Sequence, residues 1–526
     1  MTTKTTTKWW TLGVVSVATF MLLLDITVVN TALPAIEEDL NATFTDLQWV
    51  VDAYTLTLAA VVLTAGSLAD RLGRRRVFVI GLGIFSIASL VAGLASDPTF
   101  LNIARGVQGV GGAVMFAVSL ALIAQEFPAG RERGMAMGVY GATIGLAVAF
   151  GPLVGGVIVD SLGWEWIFFL NVPIGIVAIA ITYLHVKETR DPNATSVDWA
   201  GLVTFSSALF VLVLALIRGN DEGWGSTLIV GLFTAAAVLL IAFVAIERRV
   251  SQPMLPLGLF KRPAFTGVQI AAFGISASMF ALFLYLTLYL QSFLGHSPTE
   301  AGLRYLPLTV AVFFVAPIAG ALLSRVQARV MMSIGLIGAG VGLVLIGGAQ
   351  MGDEWTGLLG GFLIAGAGIG LLNPVIADVA VSVVPKEQSG MASGINDTFR
   401  QVGVALGVAV WGAIFLGRGT SKVDALTGLG TDRSRDLVEA VSSGNLDSAV
   451  AGVPAGSRAQ VADAAREGFL AGFNDIAVMG ALLAFAAAIA AFWLVRERDI
   501  ERGELEVVEA APAEAPAAAV PEPVAA

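Results

Sequence analysis

Seven ionisable side chains stand inside long apolar stretches of this sequence: Asp25, Asp52, Arg105, Arg304, Asp378, Asp397 and Arg400. A charge at bilayer depth costs about 2.5–3.5 kcal/mol on insertion scales, so each needs a partner, water or a task. An arginine stays charged, whereas an aspartate among apolar helices is the group able to take up and release a proton. The chemistry on offer is therefore ion binding and proton exchange. With no cysteine and only His185 and His296, the chain has no thiolate nucleophile, no disulfide and no histidine-rich metal centre. The nucleotide-binding pattern GxxxxGK[ST] is also missing from the sequence.

The elements that position these residues follow from composition. Of 526 residues 56% are apolar and 13% charged, against about 25% charged in a globular chain. Too few charges remain to cover a water-soluble surface, so most of the chain faces hydrocarbon or other buried helices. A hydrocarbon core of about 30 Å needs about 20 helical residues. Fourteen such stretches lie near 9–33, 47–66, 77–95, 99–124, 136–159, 165–186, 198–218, 226–246, 264–291, 301–323, 330–349, 355–383, 394–416 and 471–495. They are apolar throughout rather than alternating, which excludes membrane β-strands and predicts an all-helical integral membrane protein. Asp46 and Asp198 read as helix N-caps.

Placing the N-terminus inside puts 20 of the 30 Lys and Arg residues in inner loops or termini, as the positive-inside rule requires. Both termini are then cytoplasmic, and the membrane is the cell's inner one. The first stretch reads as a retained span: it carries Asp25, ends at Leu33-Pro34 without a cleavage pattern, and follows the interfacial pair Trp9 and Trp10. Much of the acidic excess behind the net charge of −10 lies in a Glu-, Ala-, Pro- and Val-rich tail, 503–526, expected to be a disordered cytoplasmic segment.

Gly134-Met-Ala-Met-Gly138 opens the fifth stretch, and Gly390-Met-Ala-Ser-Gly394 opens the thirteenth, each shortly after a proline. The match predicts two parallel six-helix bundles: an N-terminal one over 1–190 and a C-terminal one over 251–502 that includes a long outer loop, 417–470. Helices 7 and 8, within 191–250, become an inserted hairpin. Parallel halves around a midplane site are the architecture of secondary transporters.

The loop after the second stretch reads Gly66-Ser-Leu-Ala-Asp70-Arg71-Leu-Gly73-Arg74-Arg75-Arg76 and resembles the loop motif of the major facilitator superfamily. Gly145-Leu-Ala-Val-Ala-Phe-Gly151-Pro152-Leu-Val-Gly155-Gly156 resembles the Gly-Pro motif of its antiporters. With Leu24-Asp25, Arg105-Gly-Val-Gln108 and Leu47-Gln48-Trp49-Val-Val-Asp52, residues 9–495 are similar to the fourteen-span drug/proton antiporter branch, which contains quaternary-ammonium and antibiotic exporters. The resemblance implies a major facilitator fold. It also implies a conformational latch of Gly66, Asp70, Arg71, Gly73 and Arg74, partly against the positive N-terminal end of span 13. Two departures stand out: Ser324 replaces the acid where a second loop motif would stand, so one latch is expected, and Ala147 replaces a glycine before the Gly-Pro pair.

Asp25, Arg105 and Asp52 fall at comparable depth and are expected to form a proton-coupling cluster with Gln108 one turn below Arg105. The alternative is a permanent Asp–Arg pair that orients helices. Asp25, Gln108 and Asp378 are the candidate substrate-binding residues, Asp378 standing beyond Asn373-Pro374, which should kink its helix. Asp397 and Arg400, three apart on one helix face, read as an internal ion pair, and Arg304 as a snorkelling or locally paired residue.

The expected function is proton-coupled antiport, exporting lipophilic or cationic drugs by alternating access. The alternatives are export of an endogenous lipid or metabolite, and import or facilitation of a small solute. No enzyme activity, cofactor or metal is expected. The partners are a small-molecule substrate, protons and membrane lipids, with no nucleic acid and a monomer as the working unit.

Overall fold

Runs of Leu, Ala, Val and Gly satisfy their backbone hydrogen bonds within one segment, and the computed structural model accordingly consists of helices joined by short loops. It describes residues 2–42, 44–128, 130–190, 198–251, 253, 255–385 and 388–500. The tail 503–526 lies outside the described residues, as does the linker 191–197 that begins the inserted segment.

The first half contains α1 (Thr2–Leu40), α2 (Phe44–Leu72), α3 (Arg74–Ala92), α4 (Pro98–Glu126), α5 (Arg131–Leu162), α6 (Trp166–Phe169) and α7 (Asn171–His185). Helices α8 (Trp199–Glu222) and α9 (Thr227–Glu247) pack together, with Phe205 and Phe243 ring centroids 4.9 Å apart. The second half comprises α10 (Pro263–Ile275), α11 (Ala281–Leu288), α12 (Pro298–Arg304), α13 (Leu306–Leu322), α14 (Ala328–Ile346), α15 (Leu359–Ser382), α16 (Ser389–Thr427), α17 (Thr431–Ser442), α18 (Leu446–Val450) and α19 (Arg458–Leu494). Each half has its own large apolar cluster, and the two reach across: Leu63 of α2 joins the cluster of the second half, and Ala377 and Val381 of α15 join that of the first.

Twelve helices among the described residues are long and apolar enough to cross a bilayer. The fifth and tenth expected spans fall on α5 and α13, whose apolar runs, Leu153–Leu162 and Leu306–Leu322, are shorter. Helix ends follow local chemistry where a polar side chain can reach a free backbone amide. Asp97 caps α4 ahead of Pro98, Asp198 caps α8 by accepting from Gly201 N at 2.8 Å, and Ser297 with Glu300 forms a capping box on α12. Asp46 instead lies inside the first turn of α2.

Proline is a poorer guide here. Helix α1 continues beyond Leu33-Pro34 to Leu40, and α15 passes through Pro374. The ninth expected span contains π-helical turns at Ser276–Phe280 and Tyr289–Phe293, on either side of α11. The first turn faces α16, where the Trp411 indole donates to the Ala277 carbonyl at 2.6 Å.

The halves meet at two glycine crossings. A Cβ at Gly66 on α2 would fall on the Gly390 carbonyl of α16, and one at Gly134 on α5 would fall on the Gly320 carbonyl of α13. The repeated glycines Gly134 and Gly390 thus do the same job in the two halves, opening a helix against a glycine of the opposite bundle. Backbones approach this closely only without side chains.

Beyond the bundle, α16 and α19 run on into the 417–470 segment. There α17 buries Leu437, Val438 and Val441 against them, and Arg418–Asp475 and Lys422–Glu467 link the two long helices at 3.0 and 3.4 Å. The segment expected as a loop is largely helical.

Candidate functional site

Inside the first half, Asp25 of α1 is 3% exposed and fully engaged. Its Oδ2 accepts from Arg105 Nη1 of α4 at 2.5 Å, and its Oδ1 accepts from Gln108 Nε2 at 2.9 Å and from Asn171 Nδ2 of α7 at 3.0 Å. Arg105 also donates from Nη1 to Gln108 Oε1 at 2.7 Å and from Nε to the Val50 carbonyl of α2 at 3.0 Å. Its guanidinium carbon lies 4.3 Å from the Tyr54 ring centroid, and Ser89 of α3 accepts from both Gln108 and Asn171. One charged pair therefore ties together α1, α2, α4 and α7, and Ser89 brings α3 into the same network. The structure brings Asp25, Arg105 and Gln108 together as the sequence predicts, and Asp52 is half-buried on α2.

On the face that carries the basic α2–α3 loop, Asp70 bridges the halves. Its Oδ1 accepts from Arg74 Nε and Nη2 at 2.9 and 2.6 Å and from Gly390 N at 3.1 Å, and its Oδ2 accepts from Met391 N at 2.8 Å. The carboxylate thus sits on the free amides of the α16 N-terminus. Arg71 turns elsewhere, to Ser67 Oγ and the Pro253 carbonyl. Gly73 adopts φ +113°, and a side chain there would strike Glu188, whose carboxylate accepts from the Arg75 and Arg76 amides that begin α3.

A second clasp stands beside the first. Arg133, at the start of α5, donates from Nε to Asp378 Oδ1 of α15 at 2.8 Å and from Nη2 to Ser382 Oγ at 2.5 Å. Both charged side chains are buried. Ser324 is exposed, and the halves share a second buried ion pair whose acid comes from α15. Asp378, expected at the substrate site, is held in this inter-half pair.

Between the halves, α4, α5, α15 and α16 line a cavity of about 10 Å³, with Phe116, Tyr140 and Ile144 on one wall and Asn373, Asp397 and Arg400 on the other. The expected Asp397–Arg400 ion pair is not made at bonding distance among the described residues. Arg400 Nη2 donates instead to Asn373 Oδ1 at 2.7 Å. Arg304 behaves as a local surface residue, donating to the Glu300 carbonyl at 2.9 Å and lying 5.7 Å from the Trp355 ring.

The glycines of α5 serve packing in both directions. A Cβ at Gly145 would lie 2.8 Å from Val312 of α13, and one at Gly156 would lie 2.8 Å from Thr299 of α12, while Gly151 and Gly155 face Thr27 and Thr31 of α1. Pro152 lies within this helix, which is continuous from Arg131 to Leu162.

A sequence profile of the Major Facilitator Superfamily matches residues 15–408. The chain belongs to that superfamily. It is similar to the multidrug resistance protein Stp of Mycobacterium tuberculosis, with 35% identity over 408 residues, 78% of this chain and 76% of that protein. It is also similar to the multidrug efflux pump LfrA of Mycolicibacterium smegmatis, with 32% identity over 492 residues, 93% of this chain and 96% of that protein. Among solved structures, the proton:xylose symporter XylE superposes with a TM-score of 0.63 at 15% identity, covering 94% of this chain and 97% of the other. That likeness speaks to the fold alone. The chain is thus a multi-pass membrane transporter of a superfamily that does not consist of enzymes.

Within this superfamily member, sequence reasoning missed Asn171 and Ser89 as parts of the Asp25 site, and Arg133 as the partner of Asp378. Asn171 had a usable signal: an amide side chain at the start of an apolar span is as costly to bury unpaired as other polar groups. Arg133 lay hidden among the basic residues that the orientation rule already explains.

Proposed function

We propose that the chain is a proton-coupled antiporter that exports lipophilic or cationic drugs across the cytoplasmic membrane. In this reading both termini are inside, α5 and α12–α13 complete fourteen spans, and the halves rock about the inter-half cavity. The observation that carries it is the Asp25–Arg105 pair, buried in the first half and bonded to α2 and α7 besides its own two helices. A proton on Asp25 removes the charge that holds Arg105 Nη1, leaving that guanidinium to Gln108 and Val50. Protonation therefore bears directly on how α1, α4 and α7 are joined, and gives the proton gradient a mechanical purchase on the bundle.

The names of the similar proteins, multidrug resistance protein and multidrug efflux pump, support export over import. The driving force is about 1.4 kcal/mol per pH unit plus about 2.3 kcal/mol per charge per 100 mV.

The test is efflux of ethidium from proteoliposomes under an imposed proton gradient. The wild-type protein accelerates efflux and an uncoupler abolishes it. Asp25→Asn loses the gradient-driven component while still folding. Efflux that ignores the uncoupler, or an Asp25→Asn protein that couples normally, refutes the reading.

A further inference from the structure

Every side chain bonded to the Asp25 carboxylate is a donor. Arg105 Nη1 reaches Oδ2, while Gln108 Nε2 and Asn171 Nδ2 reach Oδ1. Ser89 fixes which way the two amides point. Its one hydroxyl proton goes to the Phe168 carbonyl at 2.9 Å, so its oxygen accepts from Gln108 Nε2 at 3.2 Å and from Asn171 Nδ2 at 3.0 Å. Ser89, Gln108 and Asn171 are all buried. This set of bonds is complementary to an ionised carboxylate, whereas a protonated one carries an O–H that must find an acceptor. Arg105 has none to offer. Gln108 cannot turn, since its Oε1 already accepts from Arg105 Nη1 at 2.7 Å. Asn171 can, because its Oδ1 accepts no hydrogen bond among the described residues.

We propose that Asn171 is the positioning residue that reads the protonation state of Asp25, its side-chain amide turning over to offer Oδ1 to the carboxyl O–H when a proton binds. The proposal rests on the proton-coupled reading above and adds the residue that converts a bound proton into a change of helix contacts. The turn places Oδ1 where Nδ2 had donated to Ser89, and two oxygens at hydrogen-bond distance repel unless one of them donates. Ser89 therefore swings its proton from Phe168 to Asn171. Phe168 belongs to α6 and Asn171 begins α7, on either side of Leu170, so the exchange releases α6 from α3 at the joint of that span. Only hydrogen bonds change hands, and the bound proton stays on Asp25. The charged or titratable groups facing Asp25 are Arg105 of α4 and Tyr54 of α2. The Tyr54 hydroxyl lies against Gly112 and makes no bond to the carboxylate, which leaves the acceptor role to Asn171.

The experiment uses the full chain in lipid, with asparagine isotopically labelled at the side-chain carbonyl, titrated from alkaline to acid pH and followed by infrared difference spectroscopy. The Asp25 carboxyl band, absent in Asp25→Asn, grows in as the proton binds. The Asn171 carbonyl band, absent in Asn171→Leu, shifts to lower frequency with the same midpoint, because its oxygen gains a hydrogen bond. In Asp25→Asn that band does not respond to pH. Gradient-driven ethidium efflux falls about 10–100-fold in Asn171→Leu, and Asn171→Thr, whose hydroxyl donates or accepts as it rotates, restores most of it. Three results overturn the proposal: an Asn171 band that stays fixed across the titration, as a merely structural asparagine requires, an Asn171 band that shifts equally in Asp25→Asn, or a folded Asn171→Leu protein that couples normally. Efflux that ignores the uncoupler, with the two bands still moving together, removes the coupled-export reading and leaves this switch standing.

Discussion

Replacing Asp378 by Asn tests whether the Arg133–Asp378 clasp holds the halves together on the basic face. The substitution keeps the shape of the side chain and removes its charge, leaving the buried Arg133 with Ser382 as its polar partner. Breaking a buried ion pair by removing one member costs about 3–5 kcal/mol, and the retained amide oxygen argues for the lower end. Because the pair spans α5 and α15, the penalty falls on the arrangement in which those helices are apposed. A shift of about 3 kcal/mol moves the equilibrium toward separated halves by about 10²-fold. The sequence contains no cysteine, so spin labels placed at the exposed positions Arg131 and Ser324 report the separation directly by pulsed electron resonance. The wild-type protein gives a short, narrow distribution, and Asp378→Asn a longer, broader one. Arg133→Gln does the same, and the double variant is no worse than either single one, because both remove one interaction. An unchanged distribution in Asp378→Asn, or additive effects in the double variant, refutes the clasp. Weaker ethidium binding at unchanged distances would return Asp378 to the cargo site.

Gly66→Ala and Gly134→Ala each place a methyl group on a facing carbonyl, an overpacking cost of about 1–3 kcal/mol; transport turnover falls about 5–100-fold, read as initial efflux rates at matched protein density, and wild-type rates would show that the crossings are not closed during the cycle. Gly73→Ala meets both a positive φ and the Glu188 carboxylate, so it loses about 1–2 kcal/mol; the unfolding temperature in detergent drops, and an unchanged value counts against Glu188 holding the start of α3.

The residues that chemistry singles out in the sequence meet in space only where the helical order brings their faces together. Asp25, Arg105 and Gln108 were legible because each interrupts an apolar span, and because one turn separates the arginine from the glutamine. Asp70 was legible because its loop has a charge pattern with few other uses, and its seat on the α16 amides follows from helix polarity. The Arg133–Asp378 pair was not legible, since its members lie 245 residues apart and nothing in helical periodicity pairs them. For Asp397 and Arg400 the three-residue spacing places both charges at one cavity, while the hydrogen bond of the guanidinium to Asn373 on another helix lies beyond what spacing can show. The first π-turn before α11 likewise depends on a neighbouring helix, whose Trp411 supplies a partner for the Ala277 carbonyl.

Helix α16 has 39 residues, a length of about 58 Å at 1.5 Å per residue, roughly twice the thickness of the hydrocarbon layer it crosses. Starting at the basic face, it stands proud of the opposite surface as a mast braced by α17 and α19. A fluorophore or an antibody fragment fixed to its tip would sweep a long arc for a small tilt at its foot. The same appendage would give a largely lipid-wrapped particle an asymmetric landmark for image alignment.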